Sequence, residues 1–147
     1  MANTMFSENN IQVIEQAPNW PAAVKQASQP LIASGAITTQ YIDNMIASVK
    51  QNGPYMVLAD YFALMHARPG IGVNQMGMSL LVSRKPVDLA GKPVKIFLIM
   101  AAMDNTSHLK SLQKIMSVFM DEKAYQTVLA GHKQEIITLF KSMGVTQ

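Results

Sequence analysis

The stretch from Val94 to Ala101 constrains the fold of this chain more than any other. It is branched and apolar, with Lys95 its one polar residue. Such a run has the pattern of a central β-strand covered on both faces. A strand of that kind needs layers packed above and below it. The apolar run Ile96 to Met103 is also far too short to cross a bilayer, which takes ~20 residues.

The flanking sequence supplies those layers. Ile11 to Ile14 reads as a first strand. Asn19 is a candidate N-cap, and Pro21 suits the first turn of a helix over Ala22 to Ile32. Pro30 should kink or interrupt that helix, and Gly35 is a stop. Thr38 or Thr39 caps a second helix, whose stripe Tyr41, Ile42, Met45, Ile46 and Val49 has the spacing of one buried face. Gly53-Pro54 ends it.

Tyr55 to Ala59 then reads as a buried strand, Phe62 to Met65 as another extended piece, and Ser79 to Ser83 as a third. After the central strand, Leu109, Leu112, Ile115, Met116 and Phe119 mark a helix. Asp121 caps a short one closed by Gly131, and His132 opens the last. The expectation is one α/β domain over 1–147, with a mixed, mostly parallel sheet of about five strands flanked by helices on both faces.

Composition narrows the chemistry. With 147 residues, 49% of them apolar, the chain can bury a proper core. It has no cysteine, which excludes disulfides, thiolate metal sites and cysteine nucleophiles. The net charge of +3 is mild and the lysines are scattered, so no nucleic-acid partner is expected. The N-terminus lacks a basic region followed by an apolar stretch, so a soluble, cytoplasmic protein is expected. Most of the twelve methionines read as core filling.

Of three histidines, His132 reads as structural. His66 and His108 both lie where an extended segment gives way to a loop or helix start, the places where ligands collect in open α/β sheets. Arg68 adds a fixed positive charge two residues after His66. His108 sits in the first turn of a helix, where free N–H groups and the helix dipole favour an anion. On these grounds Arg68 and the Asn105–Ser107 backbone are candidate phosphate stabilisers. Asp60 reads rather as a turn residue than as a partner for an imidazole. A metal-dependent hydrolase using His66, His108 and Asp104 or Asp60 is disfavoured, because the spacing matches no helical metal motif. No metal and no cofactor is expected.

The strings Gly53-Pro54-Tyr55-Met56-Val57-Leu58-Ala59 and Ala63-Leu64-Met65-His66-Ala67-Arg68-Pro69 resemble the active-site segment of enzyme IIA components of the bacterial sugar phosphotransferase system. The match is to the mannitol/fructose superfamily and, within it, to the ascorbate-type branch. Ala101 to Leu109, with the helix that follows, resembles that family's second histidine region. The chain departs from the family at Met65, where proline is usual, and at Tyr61-Phe62, where a small residue is usual.

The resemblance implies that His66 accepts and donates a phosphoryl group and that His108 is the second active-site histidine. It implies a phosphorylated histidine-containing carrier protein as donor and a cysteine of enzyme IIB as acceptor, with membrane enzyme IIC served indirectly. Ascorbate-type sugar uptake would be the process. The alternative is a regulatory enzyme IIA-like protein whose phosphorylation state controls a partner. A homodimer is left open.

A histidine nucleophile must be neutral, as an ordinary imidazole of pKa ~6.5 largely is near pH 7. Its other nitrogen must be held as a donor, most simply by a backbone carbonyl. Docking partners call for a partly apolar surface around His66, for which Met65, Tyr61, Phe62, Met76 and Met78 are candidates.

Overall fold

Alternating burial along the central strands divides the interior into two cores. In strand β5 (Lys92–Ala101), Phe97, Ile99 and Ala101 point into one core, while Ile96, Leu98 and Met100 point into the other. In β3 (Tyr61–Met65), Ala63 and Met65 join the first core, and Phe62 and Leu64 the second. This period of two is the geometry of a strand buried on both faces. The computed structural model describes residues 6–146. Residues 1–5, part of the N-terminal stretch read above for a targeting signal, lie outside the described residues.

The other strands are β1 (Ile11–Ile14), β2 (Val57–Ala59) and β4 (Gly77–Leu89). The five strands form one mixed sheet in the order β1-β4-β5-β3-β2, with the Val94-to-Ala101 strand at its centre as expected. The β1–β4 and β3–β5 pairings are parallel, whereas β4–β5 and β2–β3 are antiparallel. Helices α1 (Trp20–Ala33) and α2 (Thr39–Asn52) cover one face. Helices α3 (Leu109–Met120), α4 (Glu122–Ala130) and α5 (Lys133–Ser142) cover the other. No helix among the described residues is long and apolar enough to cross a membrane.

Local signals explain most boundaries. The Asn19 side chain accepts from the Ala22 N–H and starts α1, and Asp121 does the same for α4 through the Ala124 N–H. All five residues of the predicted α2 stripe are buried.

Three expectations change. Helix α1 runs through Pro30 rather than breaking there. Proline cannot donate to the carbonyl of Gln26, four residues back, but the Gln12 side chain of β1 donates to that oxygen at 2.7 Å. The strand expected to be buried over Tyr55 to Ala59 is a short edge strand with Leu58 and Ala59 exposed. The Ser79-to-Ser83 strand extends to Leu89 and returns through Ala90-Gly91 into β5, with a register shift between Val82 and Val87.

Candidate active site

His66 directly follows β3, at its C-terminal end. Its Nδ1 lies 3.0 Å from the Leu64 carbonyl oxygen. A carbonyl can only accept, so Nδ1 carries the proton and Nε2 holds the free lone pair. Leu64 thus supplies the carbonyl that the sequence left unnamed. The Tyr55 ring stands edge-on to the imidazole, with centroids 6.3 Å apart at 86°.

The loop after His66 is clamped to the helix layer. The Ala67 N–H donates to the Tyr41 hydroxyl at 3.0 Å, and that hydroxyl donates to the Met100 carbonyl of β5 at 2.5 Å. The Gly70 N–H donates to the Ala102 carbonyl at 2.9 Å, and the Thr38 N–H to the Gly72 carbonyl at 3.0 Å. An isolated bridge joins Ile37 to Val73.

His66, Arg68 and Asn105 line one open cleft of about 830 Å³, together with Asp104, Ser48 and Tyr55. The Ser48 and Tyr55 hydroxyls hydrogen-bond to each other at 2.8 Å. Neither they nor Tyr41 was picked out as a site residue. Tyr41 carried only a helix-stripe signal, and Ser48 and Tyr55 meet only once α2 packs beside the loop that follows it. Arg68 makes no ion pair among the described residues, and Asp104 is the one carboxylate in the cleft lining.

The helix-start amides are placed differently from the expectation. The Thr106 and Ser107 N–H groups donate to Asp104 Oδ1 at 2.9 and 2.7 Å. These bonds hold the Asp104 carboxyl down at about 2, well below its usual 3.8. Ser107 does not line the cleft. His108 stands at the N-cap of α3, is only 8% exposed and is also absent from the lining, and its buried Nδ1 has no hydrogen-bond partner among the described residues. Asp60 closes the turn between β2 and β3, at the opposite end of β3 from His66, and its carbonyl accepts from the Tyr125 hydroxyl.

The apolar docking surface is also corrected. Met65, Phe62 and Met78 are core residues, because β3 and β4 are covered on both faces. Tyr61 lies at the far end of β3, with Lys95 over its ring. The apolar rim of the cleft consists instead of Tyr55, Ile71 and Met103, exposed to 49%, 51% and 46%. Among the described residues no three His, Asp or Glu side chains gather into a metal-binding group.

Comparison with known proteins adds a second line. The family model for the phosphoenolpyruvate-dependent sugar phosphotransferase system, EIIA 2, matches residues 4–143. The ascorbate-specific PTS system EIIA component of Escherichia coli is 30% identical over 144 residues, covering 95% of this chain and 94% of that one. The solution structure of the mannitol-specific cryptic phosphotransferase enzyme IIA of Escherichia coli is 29% identical, with a TM-score of 0.87 over 94% of this chain and 96% of that one. Another neighbour is the Escherichia coli mannitol enzyme IIA, solved in complex with its phosphorylated enzyme IIB. At 17% identity and a TM-score of 0.74, over 93% of this chain and 97% of that one, it shares the fold.

Proposed function

This chain belongs to the EIIA 2 family of the phosphoenolpyruvate-dependent sugar phosphotransferase system, and on that premise we propose that His66 Nε2 is its phosphoryl acceptor and donor. The chain would act as a single enzyme IIA domain over 1–147, in the cytoplasm, without a metal ion or other cofactor. The donor would be a phosphorylated histidine-containing carrier protein, and the acceptor a cysteine of an enzyme IIB that serves a membrane enzyme IIC. Similarity to an ascorbate-specific EIIA component supports an ascorbate-type system as the process.

The observation that carries this reading is the Leu64 carbonyl bonded to His66 Nδ1. It orients the ring and leaves one nitrogen, Nε2, able to attack. In the first step the Nε2 lone pair forms the new N–P bond while the N–P bond to the carrier histidine breaks, and the carrier imidazole leaves with that electron pair. In the second, a thiolate of enzyme IIB forms the S–P bond as the N–P bond at His66 breaks. The protein contributes positioning and charge stabilisation around the equatorial oxygens.

Arg68 and the Asn105 side chain are the proposed donors to those oxygens among the polar groups that line the cleft. Thr106 and Ser107 act one step back, holding Asp104 in place. Asp104 offsets part of the charge of Arg68, which keeps the phosphoryl group from being trapped. Every ~1.4 kcal/mol of excess stabilisation would bias a relay equilibrium tenfold. His108 is proposed as the second active-site histidine. The resemblance of the Ala101-to-Leu109 segment to the family's second histidine region supports this, and because His108 is buried and off the cleft lining, the role requires the start of α3 to move.

The test is transfer from the phosphorylated carrier to wild type, His66→Ala and His108→Ala, followed by addition of enzyme IIB. His66→Ala should take no label and His108→Ala should take it slowly. Phosphorus NMR should place the phosphate on Nε2. Full labelling of His66→Ala would sink the assignment. Onward transfer to the enzyme IIB cysteine supports the transport role, whereas a stable dead-end phosphohistidine indicates the regulatory alternative.

A further inference from the structure

We propose that Tyr41 is the positioning residue of this site, its hydroxyl fixing the peptide that follows His66 and with it the attitude of the imidazole. The inference deepens the reading of His66 as phosphoryl acceptor and rests on it.

Tyr41 is 1% exposed and lies on the inner stripe of α2, in the core between the helices and the sheet. Its single hydroxyl proton goes to the Met100 carbonyl, and its lone pair receives the Ala67 N–H. A carbonyl cannot donate and a backbone N–H cannot accept, so both bonds have a fixed direction. Burial pushes the phenol up to about 12, so this arrangement keeps its proton across the working pH range.

The placement matters because β3 ends at Met65. Ala67 lies beyond the strand, and its N–H is held by the phenol instead of a strand neighbour. Residue 66 is therefore bracketed. The Leu64 carbonyl holds the ring from the strand side, and the Tyr41 hydroxyl holds the next peptide from the loop side. Met65 gives none of the backbone stiffness a proline would provide at that position. The other loop contacts, at Gly70, Gly72 and Val73, lie farther along the chain and leave the 66–67 peptide to Tyr41.

Loss of the hydroxyl would leave the Ala67 N–H and the Met100 carbonyl without this partner. The imidazole would then lose one of its two constraints. In-line transfer is sensitive to such changes, since ~1 Å of misplacement can cost ~10²-fold in rate.

The experiment uses Tyr41→Phe in the full chain, together with a variant in which lactic acid replaces Ala67. The second exchanges only the N–H for an ester oxygen and leaves the phenol in place. Nitrogen-15 NMR of the unphosphorylated proteins reads the His66 tautomer. Transfer from the phosphorylated carrier is resolved into kcat and KM.

Wild type should show the Nδ1–H tautomer alone, and both variants a mixture. The kcat should fall by about tenfold or more while the carrier KM stays within about twofold. A structural role alone would lower thermal stability and move neither the tautomer nor kcat. Wild-type tautomer and kcat in a folded variant would overturn the proposal. If Tyr41→Phe fails to fold, the ester variant decides. If wild type takes no phosphoryl group on His66, the functional reading falls, and the tautomer comparison still decides the positioning.

Discussion

Gly72 lies so close to Tyr41 that a Cβ on the glycine would stand 2.8 Å from the Tyr41 backbone nitrogen. Gly72 also has φ of +77°, a region L side chains rarely adopt. The contact seats the His66 loop against the start of α2. Gly72→Ala should cost about 2–4 kcal/mol, combining left-handed strain with overpacking. Gly35→Ala, at φ +79° with nothing within 4 Å, should cost only about 1–2 kcal/mol. Urea unfolding of both variants checks this, and equal losses would show that the close approach carries no energy.

Asp104 is held at about 2 by the Ser107 and Thr106 amides, below its usual 3.8. A depressed carboxylate stabilises the fold above its unfolded pKa, and that contribution is lost as pH falls through the folded value. The loop should therefore hold at pH 4 and loosen between about 4 and 2. The Thr106 and Ser107 amide signals should shift together with a midpoint near 2. A midpoint near 3.8 would contradict the bonds described.

Arg68 and Asp104 bear opposite charges in the cleft lining, so their removal should move the phosphohistidine equilibrium in opposite directions. Arg68→Ala should lower the phosphorylated fraction of His66 and Asp104→Asn should raise it. Each charge is exposed and solvent-screened, so each shift should be no more than about fivefold in the equilibrium constant. Both effects should shrink at ~1 M salt, where screening reaches within ~3 Å. The measurement is the labelled fraction at equilibrium with the carrier, and shifts in the same direction would refute the balance.

Phe97 is fully buried on the central strand. Phe97→Ala should destabilise by about 3–5 kcal/mol. Met120, 82% exposed, should tolerate alanine within about 0.5 kcal/mol. Denaturant midpoints at constant m-value test the pair.

How much was legible follows from the range of each interaction. The α2 stripe, the caps at Asn19 and Asp121, and the central strand depend on residues near each other in sequence, and all were readable. The continuity of α1 through Pro30 depends on Gln12 in another element, which no local pattern reveals. Edge and interior strands share an apolar composition when short, so the position of β2 at the rim was hidden. Pro86 and Pro93 masked the outer part of the β4–β5 hairpin, where the register shifts.

At the site, His66 came from its place at a strand end, Arg68 from its charge, and Asn105 from the helix-start argument for its backbone. Tyr41 did not, because twenty-five residues separate it from His66 and only α2 packing on the loop joins them. The buried methionines were misplaced because a run of apolar residues beside a histidine looks the same whether it lines a core or a surface.

The apolar rim formed by Tyr55, Ile71 and Met103 is built from side chains, whereas the ties on His66 and its loop come from backbone groups and one buried phenol. On the proposed reading, partner choice and reaction geometry rest on largely different groups, with Tyr55, edge-on to the imidazole, the one residue common to both. Ile71 and Met103 could be changed, on the proposed reading, to suit a new carrier or a new acceptor without removing either hydrogen bond that fixes His66 and the peptide after it. A duplicated copy of such a chain could diverge toward another sugar system by surface change alone.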